Sequence, residues 1–221
     1  MDILQKSKIN QRRIGLTGGI ASGKTTITNY IKKYTNIPIL DADNLSWELI
    51  KPNTYGYKKI LDYFGNKIID NNNNSENLIN RKVLRNIIFT HSASKEGIEK
   101  LLHPLIKEKM IEECSRYKNS QTLILVIPLL FEAKFEDICT EIWLVKCPRE
   151  TQKQRLMTRD KISEKEAYDS INLQLSFEEK RKFSDIILDN SDDQNKWIKT
   201  IRELLWSFSY LIFLQEVYLQ V

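Results

Sequence analysis

Residues 14–26 read IGLTGGIASGKTT. Within them Gly18, Gly23, Lys24 and Thr25 satisfy the phosphate-loop pattern G-x-x-x-x-G-K-[ST]. The apolar run Ile14 to Thr17 leads straight into Gly18 and Gly19, and Thr25 to Tyr34 continues without glycine or proline. That order predicts a strand, a glycine-rich loop and a helix, the opening of a βαβ unit in an α/β protein with a parallel sheet. Such a loop turns backbone N–H groups toward phosphate oxygens at a helix N-terminus, where the helix dipole also favours negative charge. The candidate nucleotide-binding residues are therefore Gly18, Gly19, Ile20, Ala21, Ser22, Gly23, Lys24, Thr25 and Thr26. Lys24 would bridge the β- and γ-phosphates of ATP, and the Thr25 hydroxyl would face Mg²⁺.

Downstream of the loop a second apolar run, Ile37 to Leu40, ends at Asp41, Ala42 and Asp43. Carboxylates at the carboxyl end of a parallel strand lie where open α/β sheets bind ligands. One can take the proton of an attacking hydroxyl while its neighbour holds a metal. An Asx turn capping the following helix explains the same pattern equally well. From Leu45 to Arg116 the pattern is helical in pieces broken by Pro52, the asparagine tract at 71–74, Ser92 to Ser94, and His103 with Pro104. This predicts an inserted helical lobe, with Pro104 in the first turn of a helix.

Two further strands are expected at Leu123 to Ile127 and Glu141 to Lys146, and a last one at Ile186 to Leu188. Pro128 to Glu132 follows the first of these without the aspartate that many P-loop proteins carry there. Glu132 is read either as metal support or as a solvated carboxylate at a helix start. Arg149, Lys153, Arg155 and Arg159 occupy a charged helical stretch, with Arg155 and Arg159 on one face. Such arginines can neutralise charge on a transferred phosphoryl group, although a charge run alone is usually a solvated face. Ser163 with Glu166 forms a capping box, and 197–205 predicts a final helix.

Composition narrows the function classes. The chain has 221 residues, 41% of them apolar, enough for one α/β domain with inserts. A formal charge of +5 suits a polyphosphate ligand or an ordinary surface. Cys114, Cys139 and Cys147 match no zinc or redox spacing, and free thiols in a reducing cytoplasm are their simplest account. Residues 1–13 are polar and basic and read as an N-terminal extension, not a secretory signal. The apolar run from Leu204 to Leu214 is shorter than the roughly 20 residues a bilayer span needs. Residues 206–221 are read as an extension packed on the body or on a second subunit, an avenue for self-association, in preference to a membrane contact. Asn66 with Lys67 and Asn195 with Lys196 lack the aspartate of a guanine reader, which argues against a GTPase switch. No basic and aromatic pattern supports nucleic-acid binding.

Several of these features recur together in one family. Gly15 to Thr25, Asp41 to Asp43, Asn80 and Arg81 with Leu84, Ile88 with Phe89, Leu102 to Leu105, Pro128 to Glu132, Gln154 with Arg155, Arg159 with Asp160, Gln174, and Asp189 with Asn190 follow in order. Their order and spacing resemble the dephospho-CoA kinases over about residues 13 to 205. The resemblance implies a P-loop NTPase three-layer sandwich spanning 14–205, with an acceptor lobe at about 45–118 and a lid at about 149–178. It implies transfer of the γ-phosphoryl group of ATP, with Mg²⁺, to the ribose 3′-hydroxyl of dephospho-CoA. In that reading Asp43 is the base, Asp41 and Thr25 serve the metal, and Lys24 and Arg155 act on the phosphoryl group. Arg155, Arg159 and Asn190 serve ATP, while Thr17, Arg81, His103, Pro128, Leu129 and Glu132 face the acceptor. The chain departs from the usual family pattern at Ala21, Thr25, Trp47 and Ser170. Another small-molecule P-loop kinase, such as a nucleoside monophosphate kinase, is the rival reading.

Overall fold

Strand β1, Arg12–Gly18, begins two residues earlier than the apolar run alone indicates. The computed structural model describes residues 11–70, 78–80, 83, 84, 87, 92–192 and 195–205. Gln11 and Arg12 therefore belong to the fold and not to an extension. Gln11 is buried and its Nε2 donates to the carbonyls of Tyr117 and Ser120 at 2.6 and 2.9 Å. The remaining strands are β2 (Ile39–Asp41), β3 (Thr122–Val126), β4 (Glu141–Lys146) and β5 (Ile186–Asp189). They join in one five-stranded sheet of order β2-β3-β1-β4-β5, with β2 parallel to β3 and β4 parallel to β5. The chain divides into two units, 1–15 with 34–140 and 16–33 with 141–221.

In the first unit Ile39, Leu40 and Asp41 of β2 face Ile124, Leu125 and Val126 of β3. The aliphatic run of β3 is buried throughout, as a strand covered on both faces requires. Gly15 lies so close to its neighbours that a Cβ would stand 2.6 Å from Cys139 Sγ. Helix α1 (Lys24–Tyr34) belongs, except for Tyr34, to the other unit; α2 (Ala42–Leu49) and α3 (Tyr55–Phe64) follow β2. Thr54 caps α3 by accepting from Tyr57 N at 3.2 Å, and Gly65 stops it at φ +70°, a conformation open to glycine. Ile50, Ile60, Phe64, Ile68, Ile79, Leu84 and Ile98 form a core for this inserted lobe, with Trp47 packed against it. An isolated antiparallel bridge between Ile69 and Ile79, not expected from the sequence, ties its loop ends together.

Helix α4, Ser92–Arg116, corrects one expectation. Pro104 does not open a helix but lies inside this one. Ile98, Leu102, Ile106, Met110 and Cys114 recur every four residues, all but Leu102 buried. That apolar stripe runs across the proline without a break, so packing outweighs the loss of one backbone bond and the ring clash, a cost of about 3 kcal/mol.

In the second unit Trp143, Leu144, Val145 and Lys146 of β4 stand opposite Ile186 to Asp189 of β5. Helix α5 (Arg149–Asp160) carries Lys153, whose Nζ lies 2.6 Å from both Glu150 and Glu164, linking it to α6 (Glu164–Asn172). Both carboxylates hold the Lys153 ammonium charged by raising its pKa. The capping box at Ser163 and Glu166 opens α6 as expected, and a second, Ser176 with Glu179, opens α7 (Phe177–Arg181). Helix α8, residues 195–205, buries Trp197, Ile201 and Leu205 at four-residue spacing, and Trp197 meets Tyr30 edge-on at 5.3 Å. Among the described residues no helix is long and apolar enough to cross a membrane. Residues 206–221, expected to pack or self-associate, lie outside the described residues.

Candidate active site

The phosphate loop connects β1 to α1 as the sequence predicts. Gly18 has φ +153° and a Cβ there would meet Ser22 Oγ at 2.8 Å and Val145 O at 2.9 Å. Gly23, at φ +101°, presses against the Asn190 amide. Ala21 takes a left-handed φ of +58°, so the loop carries backbone strain at a position where glycine would fit without it. Ser22 N donates to Gly19 O at 3.1 Å, closing the inner turn. Lys24 Nζ rests on the loop's own carbonyls, 2.8 Å from Gly18 O and 3.1 Å from Gly19 O. Thr25 and Thr26 are exposed at the start of α1.

Side chains from α5, from the segment after α6 and from the end of β5 hold this loop. Asn190, buried, donates Nδ2 to Ser22 O at 2.8 Å. Its amide thus supports the loop backbone directly. Ile20 N donates to Gln174 Oε1 at 2.7 Å. Gln152 donates to Cys147 O at 2.9 Å, and a Cβ on Gly19 would stand 2.8 Å from its Oε1. Arg155 Nη1 reaches Ala21 O, Ser22 O and Cys147 Sγ, each at 3.5 Å. Burial raises the Cys147 thiol pKa and the Arg155 charge opposes that rise. Arg159 is not brought to the loop: its guanidinium makes two bonds to Asp160, at 2.8 and 3.0 Å. Gly19, Gln152, Gln174, Phe177 and the fully buried Lys180 line a cavity of about 450 Å³ in this unit.

The acceptor-side residues fall in the other unit, except Thr17. Asp41 caps α2, its Oδ1 accepting from Asp43 N at 2.9 Å and Asn44 N at 3.4 Å. The Asx-turn alternative is therefore realised, yet its second oxygen has no partner among the described residues. Asp43 is exposed in the first turn of α2. It lines a cavity of about 270 Å³ together with Trp47, His103, Pro128, Leu129 and Phe135. His103 stands edge-on to Phe135 with ring centroids 6.5 Å apart. Glu132 does not line this cavity; it lies in a turn at 128–134 and not at a helix start. Thr17 is fully buried within β1. Arg81 lies outside the described residues.

The donors suit Mg²⁺, which takes oxygen ligands and is held largely by substrate phosphates and water with one or two protein groups. In one unit Thr25 offers an exposed hydroxyl, and in the other Asp41 has one oxygen outside the α2 cap. Among the described residues no cluster of three His, Cys, Asp or Glu could hold an ion unaided. Sequence reasoning missed Gln152, Phe135 and the role of Gln174. Gln174 stood out only through the resemblance, and a glutamine 154 residues from Ile20 carries no local signal.

The sequence pattern of the dephospho-CoA kinase family matches residues 12–196. A dephospho-CoA kinase of Prochlorococcus marinus strain MIT 9312 is 84% identical over 205 residues, covering 93% of this chain and 100% of that protein. One from Prochlorococcus marinus subsp. pastoris is 61% identical over the same coverage. The solved dephospho-CoA kinase from Campylobacter jejuni superposes with a TM-score of 0.62 at 27% identity, over 87% of this chain and 96% of that one. With its phosphate loop, parallel strand pairs and inserted helical lobe, the chain belongs to the dephospho-CoA kinase family.

Proposed function

We propose that this kinase transfers the γ-phosphoryl group of ATP to the ribose 3′-hydroxyl of dephospho-CoA with Asp43 as the base, yielding coenzyme A and ADP. The observation that carries the assignment is the gathering of Asp43, His103, Pro128 and Leu129 around one apolar cavity. An apolar pocket edged by a carboxylate and an imidazole suits an acceptor with a long, weakly polar arm and one reactive hydroxyl.

In the reaction the 3′-oxygen attacks the γ-phosphorus, its proton passes to an Asp43 oxygen, and the bond from the γ-phosphorus to the β,γ-bridging oxygen breaks to release ADP. Lys24 leaves the carbonyls of Gly18 and Gly19 and donates to the β- and γ-phosphates. Amides at the start of α1 receive the β-phosphate, and Arg155, already against the loop, balances charge on the transferred group. Thr25 and Asp41 would hold Mg²⁺, which when bound neutralises phosphate charge. The segment at about 149–178 serves as the lid, excluding water that would hydrolyse ATP. The lobe at about 45–118 receives the acceptor, with Arg81 and Glu132 as further contacts. The reading places the enzyme in the cytoplasm, in keeping with three free, buried cysteines, and assigns self-association to 206–221.

The test is ADP release from Mg-ATP with dephospho-CoA, with each nucleoside monophosphate and with no acceptor, the product identified by mass. Turnover dependent on dephospho-CoA and yielding coenzyme A is expected. Turnover with a monophosphate alone overturns the reading in favour of a nucleoside monophosphate kinase.

A further inference from the structure

A trans peptide plane carries its C=O and the next residue's N–H on opposite sides, so fixing one aims the other. The Gly19–Ile20 peptide is fixed in this way. On one side Ile20 N–H donates to Gln174 Oε1 at 2.7 Å. On the other, Gly19 C=O accepts from Lys24 Nζ and from Ser22 N, both at 3.1 Å. The same carbonyl thus closes the inner turn of the loop and holds the lysine that must reach the phosphates. Gln152 backs the same peptide from α5, so that a side chain on Gly19 would have to displace the Gln152 amide.

Gln174 is well placed to impose this orientation. It lies two residues past α6 and two before the Ser176 cap of α7. Its own N–H donates to Ile171 O at 3.3 Å, and Leu173 N donates to Asp169 O at 3.2 Å. A short connector between two capped helices gives the side chain a defined origin. A loop N–H that no phosphate will use must find another acceptor, and Gln174 supplies it without a charge that would repel ATP.

We infer that Gln174 is a positioning residue for ATP: by holding the Ile20 amide it turns the Gly19 carbonyl inward and sets both the loop's inner turn and the resting place of Lys24. The inference rests on the phosphate loop binding ATP and is independent of the acceptor. It makes the lid-side segment after α6 part of the loop's own geometry.

The experiment compares the full chain with Gln174→Met, which keeps length and removes the acceptor, and Gln174→Glu, which keeps an acceptor. Three readouts are taken without dephospho-CoA: hydrogen exchange at the Ile20 amide, the Kd for Mg-ATP by calorimetry, and Tm. Gln174→Met is expected to speed Ile20 exchange about tenfold and weaken Mg-ATP about tenfold, the scale of one lost hydrogen bond in a site, with Tm nearly unchanged. Gln174→Glu is expected to keep Ile20 protected, and is scored on exchange alone because its charge opposes the phosphates. Wild-type Kd and wild-type Ile20 exchange in Gln174→Met overturn the inference. If Gln174→Met fails to fold, loss of Ile20 protection in Gln174→Glu overturns it instead. Wild-type protein that binds Mg-ATP but leaves dephospho-CoA unphosphorylated would sink the acceptor reading and leave this inference standing.

Discussion

Asn190, at the end of β5, donates its buried Nδ2 to the carbonyl of Ser22, 168 positions earlier in the chain and 2.8 Å away. Because that carbonyl is held outward, the N–H of Gly23 in the same peptide is turned the opposite way, as an anion nest requires. The residue that follows the last strand of the sheet therefore shapes the phosphate loop.

This contact makes Gly23→Ala a severe change. Its Cβ would collide with the Asn190 amide, and φ of +101° already disfavours any side chain. Titration of the variant with Mg-ATP should show no measurable binding. Asn190→Ala should lower stability by about 1–3 kcal/mol, the cost of a buried carbonyl losing its donor. A urea melt measures that loss, and an unchanged midpoint would remove Asn190 from the loop's support.

The paired aspartates separate by substitution. Asn is as good a helix cap as Asp, so Asp41→Asn should leave the α2 start and Tm intact while raising the Mg²⁺ concentration needed for half-maximal rate. Asp43→Asn should cut kcat about 10²- to 10⁴-fold with KM for ATP nearly constant, as for a lost general base. Steady-state kinetics over a magnesium series checks both. Near wild-type kcat in Asp43→Asn would reassign the base.

Pro104 offers a stability test in the opposite direction. It is exposed inside α4, and alanine there restores an N–H for the carbonyl of Lys100. Pro104→Ala should gain about 1–3 kcal/mol, since an internal proline costs about that much. A thermal melt with Tm at or below wild type would mean that the helix depends on the proline's restricted backbone.

Acid should loosen the two short helices of the second unit first. Glu166 and Glu179 have lowered pKa values, each chiefly through its bond to a serine hydroxyl, Ser163 or Ser176, and then through that serine's N–H. A carboxylate lowered on folding stabilises above its ordinary value, about 4.3. That contribution is lost as pH falls through the lowered folded value. Melts between pH 6 and pH 3 should therefore show a decline below about pH 4 that flattens in Glu166→Gln with Glu179→Gln. An identical slope in the double variant would count against the capping boxes as its source.

The sequence by itself determined what local chemistry decides. The phosphate loop was legible because its glycines, lysine and threonine act on atoms within eight consecutive residues. The Ser163 capping box and the buried β3 and β4 strands were legible for the same reason: cap and period are near-neighbour properties. Tertiary structure alone decided what distant parts impose on one another. It ran α4 through Pro104 because a stripe of buried residues outweighs one proline. It buried Thr17 in β1, directed Arg159 to Asp160, and brought Trp47 and Phe135 to the cavity beside Asp43. It also placed Gln174 and Asn190 on the phosphate loop, where each makes one hydrogen bond across more than 150 residues of chain. No periodicity encodes such a contact, because its geometry exists only once the strands and helices that carry the two ends have packed.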